Sequence, residues 1–314
     1  MIIEARNLSK KYKKVKSKRL FKKEYSESLA VKDVTLSIDK NEHIGLVGLN
    51  GSGKSTLIKM ILGILQPSEG FVKTFGFDPI KYRQKNAMHI GIVFGQRSQL
   101  RWDLPPIDTL KLNKEIYQIP NRVFEKQLAK LTKLLNAESF LFQPVRTLSL
   151  GQRMKAEFIT ALIHDPDLIV LDEPTIGLDV VTKKSIVEFL KTLTKKTIIF
   201  TSHDLEEVES ICSRVLILDK GALILNKKIK DLENLDIPTT IKFTSQESCH
   251  KILKNVVNVQ KISEDSYEVK NLKKDEVKNV LSLITSEVNI QHIEVKRSKL
   301  EYLLKETAKK SGEL

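Results

Sequence analysis

Residues 43–56 read HIGLVGLNGSGKST, in which an apolar strand passes through a glycine-rich turn into a helix. Residues 48–55 match the pattern G-x-x-x-x-G-K-[ST] of phosphate-binding loops. The glycines of this turn permit positive φ and close backbone approach, so successive N–H groups can point at a phosphate. The dipole of the helix that begins near Lys54 adds to the attraction. The stretch predicts a nucleotide-phosphate site, and the competing interpretation is a glycine turn that only links a strand to a helix.

This predicted phosphate loop supplies most of the candidate nucleotide contacts. Lys54 is predicted to bridge the β- and γ-phosphates as a point charge, while the Ser55 hydroxyl would ligate Mg²⁺ and Thr56 would support the same pocket. The candidate nucleotide-binding residues of the loop form one run: Gly48, Leu49, Asn50, Gly51, Ser52, Gly53, Lys54, Ser55 and Thr56.

The second decisive stretch is DLIVLDEPT, residues 167–175. Its apolar run predicts a strand buried on both faces. That strand delivers Asp172 and Glu173 to its carboxyl end, where the ligands of open α/β sheets gather. Asp172 is predicted to hold Mg²⁺ or its water, and Glu173 to orient and deprotonate an attacking water. The alternative is a turn with two solvated carboxylates.

Two other apolar runs lead to a single polar side chain. HIGIVF at residues 89–94 precedes Gln96, whose amide oxygen could reach a metal-bound phosphate. TIIFTS at 197–202 precedes His203, whose imidazole could contact a γ-phosphate. Taken alone, each residue also fits an exposed glutamine or a structural histidine.

A further candidate anion site lies at LSLGQR, residues 148–153, which opens a predicted helix over 151–164. Ser149 can cap that helix and Gly151 frees backbone N–H groups, which together favour an anion. An ordinary capped helix is the competing interpretation.

The N-terminal region begins with a predicted strand at residues 2–8. Tyr12 is expected in the loop that follows, where its ring could stack on adenine or remain simply exposed. Residues 13–28, KKVKSKRLFKKEYSES, form a basic run that contains Leu20 and Phe21. This run predicts an exposed insertion that either touches lipid headgroups or is solvated.

The order of these motifs resembles the ATP-binding domain of ABC transporters over residues 1 to about 235. The resemblance implies an α/β fold: a P-loop ATPase domain with a mixed or parallel core sheet, an antiparallel β subdomain and a helical subdomain. It implies that the phosphate loop is the Walker A loop that binds ATP, and that Glu173 and His203 are catalytic. The implied Mg²⁺ ligands are Ser55, Gln96 and Asp172. It also implies that Tyr12 stacks on adenine, that Gln96 is the Q-loop glutamine, and that Asp172 and Glu173 are the Walker B pair. Four further residues, from the signature motif and the D-loop, are implied to contact ATP across a dimer: Ser149, Gly151, Gln152 and Asp179.

The chain departs from the family pattern at Leu150, where the common signature has a second glycine. Ser149 and Gly151 on either side are kept, so phosphate contact through them is still expected. The surrounding stretches VFGQRSQLRWDLP and EPTIGLD resemble the ABC-2 type branch, which exports drugs and polysaccharides. The resemblance thus implies the energy-coupling subunit of an exporter of drug, peptide, lipid or polysaccharide.

The expected partners follow from the single phosphate loop and from the family. One Walker A loop and one signature helix predict a homodimer that sandwiches two ATP molecules. A separately encoded ABC-2 type permease is expected to contact residues 97–120, whose tryptophan and double proline suggest a fixed surface shape more than a packed core element. The alternative is a soluble ABC ATPase acting on the ribosome or nucleic acid. That class generally carries two cassettes, coiled-coil arms or zinc modules, so nucleic acid is not expected as a partner.

Length and composition agree with this assignment. A chain of 314 residues can bury a sizeable core in about two domains. Its sequence has neither a membrane span of roughly 18 apolar residues nor the order of a signal peptide, so we expect a cytoplasmic protein on the inner face of the cell membrane. Cys212 and Cys249 lack metal-type spacing and are expected to be inert. The net charge of +14 fits a nucleic-acid partner, an anionic membrane or a merely lysine-rich composition.

The remaining residues, 236–314, are predicted to form an accessory domain. Their apolar segments alternate in the order β, α, β, β, α, β and are followed by a helix over 298–309, which suggests a small ferredoxin-like α+β unit. His250 and His292 stand alone, so no metal site is expected there.

Overall fold

The computed structural model describes residues 1–19, 22–95, 97–232, 238–245, 259–296, 300 and 302–303. It divides into two compact units, Met1–Ile229 and Lys230–Leu314. Within the described residues no helix has the length and apolar character needed to cross a membrane.

The first unit contains nine strands and seven α-helices within the part of the chain just given. The strands are β1 (Ile3–Arg19), β2 (Lys22–Ile38), β3 (His43–Val47), β4 (Glu69–Thr74), β5 (Ile90–Phe94), β6 (Leu168–Asp172), β7 (Thr197–Thr201), β8 (Arg214–Asp219) and β9 (Ala222–Lys228). The helices are α1 (Lys54–Ile61), α2 (Arg83–Ala87), α3 (Pro106–Ile116), α4 (Asn121–Leu135), α5 (Leu150–Leu162), α6 (Val180–Lys191) and α7 (Leu205–Ile211). Short 3-10 helices lie at Val145–Thr147 and Ile229–Leu232.

The core sheet has the strand order β5-β6-β7-β3-β8-β9. Its first five members are parallel, and β9 pairs antiparallel with β8 at the edge. The apolar residues 168–171 of β6 are fully buried, as expected for a parallel strand covered on both faces. Because parallel strands end at the same edge, the segments that follow β3, β5, β6 and β7 meet there. This edge carries the candidate site.

A second, antiparallel sheet has the order β2-β1-β4, and its buried face packs with α1 into one apolar cluster. The fold class expected from the resemblance is therefore confirmed for this unit: a mixed core sheet, an antiparallel sheet and a helical part.

The basic N-terminal segment differs from the sequence prediction. Tyr12 does not lie in a loop but within β1, where it pairs with Ser28 of β2. Pairing continues as far as Arg19 and Lys22, so most of the expected insertion 13–28 is antiparallel sheet. The sequence conceals these strands because lysines interrupt the apolar alternation of a half-buried strand. Hydrogen bonding between two backbones does not require that alternation.

The segment 97–120 also differs from the prediction of a fixed surface shape more than a packed core element. It contains α3, which begins directly after Pro105 and packs its buried residues Ile107 and Leu110 toward α5. A proline at the first helical position favours a helix start, because its missing N–H would have no partner there. The stretch before the helix does lie at the surface, since Trp102 is 56% exposed.

His164 follows α5 and is enclosed between α3 and β5. Its ring stacks on Tyr117 with centroids 3.9 Å apart, and its Nε2 lies 3.1 Å from the carbonyl oxygen of Ile90. Burial lowers the pKa of His164 to about 4, and the hydrogen bond to Ile90 opposes this shift only in part. The neutral imidazole can donate its Nε2–H to that carbonyl.

Acid is expected to destabilise the protein through His164. The unfolded chain binds the proton near the ordinary histidine pKa of 6.5 and the folded chain near 4, so the unfolded state holds more protons between these values. The stability that this residue contributes is present above pH 6.5 and is lost as the pH falls towards 4, by about 2 kcal/mol between pH 7 and pH 5. Urea unfolding at the two pH values should show a loss about 2 kcal/mol smaller for His164→Gln than for the parent. Tyr117→Phe keeps the aromatic stack and should follow the parent; an unchanged pH dependence in His164→Gln would contradict the assignment.

The second unit is an antiparallel sheet with one long helix in its described part. Its elements are β10 (Thr239–Thr244), β11 (Val259–Lys261), β12 (Ser266–Leu272), α8 (Lys274–Glu287) and β13 (His292–Lys296). The strand order β11-β12-β10-β13 is that of ferredoxin-like units, and α8 contributes Ile284 to a core with Phe243 and Tyr267. The first predicted helix falls on residues 246–258, outside the described part, so the ferredoxin-like assignment stays a prediction.

The histidines and cysteines lie as follows. His250 and Cys249 fall outside the described residues, and His292 is exposed on β13. Cys212 is buried, and burial raises its pKa, which disfavours the reactive thiolate. Among the residues that the structure describes, no group of His, Cys, Asp and Glu side chains is arranged to hold a metal ion by itself.

Candidate active site

The phosphate loop spans the gap between β3 and α1. Gly53 is in the left-handed region, with φ 105°, and a Cβ there would lie 2.4 Å from the carbonyl oxygen of Ala30 on β2. Only glycine fits both the conformation and the close approach. The loop is tied on its other side by a hydrogen bond from the Gly221 N–H to the Ser52 carbonyl oxygen, 3.0 Å. The loop therefore has a fixed shape set by two neighbouring elements.

Lys54 and Ser52 show that the loop is built for an anion. The Lys54 ammonium is buried and donates to the carbonyl oxygens of Gly48 (2.7 Å) and Leu49 (3.1 Å) of its own loop. Burial lowers the pKa of Lys54, while Glu173 nearby acts in the opposite direction. The Ser52 hydroxyl is buried without a hydrogen-bond partner among the described residues. An unpaired buried hydroxyl beside a lysine fits a loop that closes on phosphate oxygens.

The Walker B pair stands at the end of β6 and is held from the neighbouring strand β7. The Thr201 hydroxyl donates to Asp172 Oδ1 (2.8 Å) and accepts the Glu173 N–H (2.9 Å). Glu173 has φ 53°, a left-handed conformation that costs energy outside glycine. A Cβ on Gly95 would lie 2.0 Å from the Glu173 carbonyl oxygen, so the chain after β5 also holds this turn.

His203, after β7, completes the group. Its Nε2 lies 2.8 Å from Glu173 Oε1, which makes the two predicted catalytic side chains direct neighbours. The structure thus brings together residues that are distant in the chain, because the strands that carry them are adjacent in the sheet.

A pocket of about 330 Å³ lies between the phosphate-loop helix and the Walker B turn. Its lining combines polar and apolar residues: Ser55, Lys59, Ile64, Phe94, Gly95, Arg97, Asp172 and Glu173. The hydroxyl of Ser55 and the two carboxylates are oxygen donors of the kind that Mg²⁺ takes, usually together with water and substrate phosphates. Gln96, the third predicted Mg²⁺ ligand, lies outside the described residues between two residues of this lining.

Sequence reasoning missed a buried carboxylate behind the catalytic pair. Glu207 is only 5% exposed and accepts hydrogen bonds from Thr175 (2.8 Å) and Ser202 (2.6 Å). Lys183 lies 3.2 Å from Glu207 and 2.6 Å from Asp204. These contacts connect the turn after β6, the turn after β7 and helix α6. Thr175 and Ser202, which stand beside the two strand-end motifs, were a signal in the sequence for a buried acceptor. Glu206 and Glu207 stand together at the start of α7, and in the sequence such a pair looks solvated.

The signature helix begins as predicted. Ser149 caps α5, its hydroxyl accepting the Gln152 N–H while the Gln152 side chain accepts the Ser149 N–H. Gly151 is buried against α6, since a Cβ there would lie 2.9 Å from the Thr182 Cγ2. Leu150, in the place of the usual glycine, is 37% exposed.

Asp179, the predicted D-loop acid, caps α6 by accepting the Thr182 N–H at 2.9 Å. Hydrogen bonds from Thr182 hold its pKa below the ordinary aspartate value. Thr182 therefore links the starts of α5 and α6. None of the described residues of these two helix starts lines the 330 Å³ pocket.

Tyr12 lies near the base of the β1–β2 pair and is 37% exposed, with the Lys10 ammonium 5.6 Å from its ring centroid. Its partner Ser28 is two residues from Ala30, which contacts Gly53 of the phosphate loop. An exposed ring at this position is open to stacking with a planar ligand.

Comparison with known proteins identifies the family. A sequence model of the family described as "ABC transporter" matches residues 31–176. The ABC transporter ATP-binding protein NatA of Bacillus subtilis (strain 168) is 35% identical over 205 residues, which are 65% of this chain and 83% of NatA. The Nod factor export ATP-binding protein I of Cupriavidus pinatubonensis is 35% identical over 68% of this chain and 66% of its own length.

A solved structure shares the fold. The dimeric post-hydrolysis state of the ATP-binding cassette MJ0796, bound to ADP and Pi, superposes with a TM-score of 0.62 at 26% identity, over 73% of this chain and 99% of that cassette. The phosphate loop facing an acidic strand end is thus the arrangement of a family whose members bind and hydrolyse ATP. The chain accordingly belongs to the ABC transporter family as an ATP-binding subunit, and it is an ATPase.

Proposed function

We propose that the chain is the energy-coupling ATPase of an ABC-2 type exporter, acting as a homodimer with Mg²⁺ and ATP on the inner face of the cell membrane. The observation that carries the proposal is the contact between Glu173 and His203, 2.8 Å apart beside the phosphate loop. Residues 1–235 would form the ATPase domain, and residues 236–314 an accessory domain.

Hydrolysis is assigned to the group at the strand ends. Lys54 and the N–H groups of the loop bind the β- and γ-phosphates of ATP, and Tyr12 stacks on the adenine. Glu173 orients the attacking water and takes its proton, while His203 fixes the Glu173 carboxylate and reaches the γ-phosphate. Mg²⁺ bound by Ser55 and Asp172, together with Gln96, would neutralise charge that develops on the transferred phosphoryl group.

Thr201→Val is expected to lower kcat for ATP hydrolysis by about 10- to 100-fold, with little change in the KM for ATP. The variant removes the donor to Asp172 and the acceptor for the Glu173 N–H at once. Steady-state kinetics would measure the effect. Thr201→Ser keeps the hydroxyl and should remain close to the parent, and equal kcat values for all three proteins would contradict this positioning role.

The homodimer is supported by the single phosphate loop of the chain and by the dimeric state in which the related cassette was solved. The signature helix start and the Asp179 helix start are joined through Thr182, and none of their described residues lines the pocket. A second copy would bring Ser149, Gly151, Gln152 and Asp179 to the nucleotide of the first. Each site would then need both subunits.

The permease contact is assigned to the surface around α3. Large apolar side chains are exposed there, namely Trp102, Leu104, Leu112 and Ile116. Beside them lies a cleft of about 200 Å³ lined in part by Gln99, Tyr117 and His164. A cluster of this kind marks an interaction surface. Export as the direction of transport is supported by the relative named for Nod factor export.

The experiment that tests the role is recovery of the tagged chain from detergent-solubilised membranes of its own cells. A polytopic membrane protein in stoichiometric amount is expected with it. The paired variant Trp102→Asp/Ile116→Asp should lose that protein but keep ATP hydrolysis, whereas Ile224→Asp, a change at an exposed apolar residue of β9, should lose neither. Recovery of ribosomes or nucleic acid without a membrane protein would overturn the transporter role and leave the ATPase assignment.

A further inference from the structure

The strands β1 and β2 continue well beyond the sheet to which they belong. The last register pair of β1 with β4 is Ser9 with Glu69, whereas β1 and β2 stay paired as far as Arg19 and Lys22. At about 3.3 Å per residue the two-stranded part is about 30 Å long. The described side chains at its base, on residues 11–13 and 27–29, are exposed. The structure therefore contains a long β-ribbon with no third strand among the described residues.

This ribbon concentrates the positive charge of the chain. Residues 10–28 hold nine lysines and arginines against two glutamates, a net +7, which is half of the +14 of all 314 residues. Basic residues also occupy partner positions in the register of the two backbones, since Lys18 pairs with Lys23 and Arg19 with Lys22. Like charges placed opposite each other destabilise a strand pair, and a lone two-stranded ribbon is marginal in water. Binding to an anionic surface would offset the repulsion between the like charges and would stabilise the two-stranded ribbon.

The sequence between the last described residue of β1 and the first of β2 indicates which anionic surface fits. Leu20 and Phe21 lie outside the described residues, but in sequence they are an apolar pair between Arg19 and Lys22. Apolar residues flanked by lysine and arginine are typical of segments that enter the headgroup region of a membrane. Phosphate contacts alone would not use such a pair, whereas a bilayer would take it up below the headgroups; insertion between bases is the alternative outcome that the test below separates.

We propose that this ribbon is a membrane-binding arm that docks on a bilayer rich in anionic lipid. The inference rests on the proposed position of the protein at a membrane face, but it requires no permease. The arm begins next to the nucleotide site, because Ala30 at its base contacts Gly53 of the phosphate loop. Lipid headgroups would thus be bound by the same subunit that binds ATP, independently of the α3 surface.

Flotation of the purified full chain with lipid vesicles tests the arm. Binding is expected to vesicles of phosphatidylcholine mixed with phosphatidylglycerol, to be much weaker with phosphatidylcholine alone, and to decrease as salt is raised. Replacing Lys16, Lys18, Arg19 and Lys22 by Gln should weaken binding at least about tenfold. Replacing Leu20 and Phe21 by Ser should weaken the binding that persists at high salt.

The control changes the same number of charges elsewhere: Lys40, Lys126, Lys130 and Lys195, all exposed, replaced by Gln. It should bind vesicles like the parent, and all variants should keep the parent's thermal unfolding and ATP hydrolysis. Equal binding to neutral and anionic vesicles would overturn the proposal, as would parent-like binding of vesicles by the ribbon variant. Binding to an oligonucleotide is measured in parallel, and a ribbon variant that loses this binding but keeps vesicle binding would also overturn the proposal. Failure of the permease pull-down with intact vesicle binding would instead refute the transporter role alone.

Discussion

Glu173→Gln is expected to lower the rate of ATP hydrolysis by roughly 10³-fold, the order of effect of losing a general base. The substitution keeps the size of the side chain and an oxygen that can face His203, but the amide cannot take a proton from water. The contacts that place residue 173, from Thr201 and Gly95, involve its backbone and are unaffected. ATP binding should therefore persist.

The same variant should accumulate an ATP-bound dimer, because separation of the subunits is expected to follow hydrolysis. Size-exclusion chromatography with and without ATP would measure it, beside a direct assay of phosphate release. Glu188→Gln, an exposed change on α6, is the matched control and should neither slow hydrolysis nor trap a dimer. If Glu173→Gln hydrolyses ATP like the parent, the assignment of Glu173 as the base is wrong.

The second large effect is restoration of activity by mixing two inactive subunits. Lys54→Ala should abolish hydrolysis because the loop loses its phosphate-binding cation. Ser149→Arg should abolish it because the signature helix start can no longer approach a phosphate. In a mixed dimer one site carries both defects and the other carries neither, since each site takes its phosphate loop and its signature helix from different subunits.

An equimolar mixture forms mixed dimers in half of the molecules, and half of their sites are intact, so about a quarter of the parent rate is expected. Mixing Lys54→Ala with Glu173→Gln is the matched control, because the proposed arrangement puts both residues in the same subunit's half of the site. That mixture should stay inactive. Thermal unfolding would check that the loss of the Ser149 cap, which costs about 1 kcal/mol, leaves the subunit folded. Equal inactivity of both mixtures would refute composite sites.

The features that the sequence predicted correctly are those fixed by near neighbours. Ser149 caps its helix because a hydroxyl reaches the N–H three residues on, which needs no distant partner. The apolar run of β6 is buried as its composition predicts, and the order of the sequence then puts Asp172 and Glu173 at its carboxyl end. The order of the motifs supplied the resemblance to ABC transporters, and the fold of the first unit agrees with it.

The errors lie where the local pattern was weak. Tyr12 and the lysines after it lack apolar alternation, and only pairing with β2 makes them a strand. The tryptophan and the double proline of segment 97–120 predict a fixed surface shape more than a packed core element, yet Pro106 opens α3, which has buried residues. A distant strand decided the first case, whereas the second had a local signal, a proline at the first helical position.

The chemical groups of this protein can be read from its amino-acid sequence: a phosphate loop, two acids at a strand end, a capped helix start and a basic run. Their proximity depends on the folded chain. In the sheet β3 is the neighbour of β7, although β4, β5 and β6 separate these two strands in the chain. On its other side β7 pairs with β6. Thr201 can therefore hold Asp172, and His203 can contact Glu173. Parallel pairing depends on packing between segments far apart in sequence, so no local pattern specifies it.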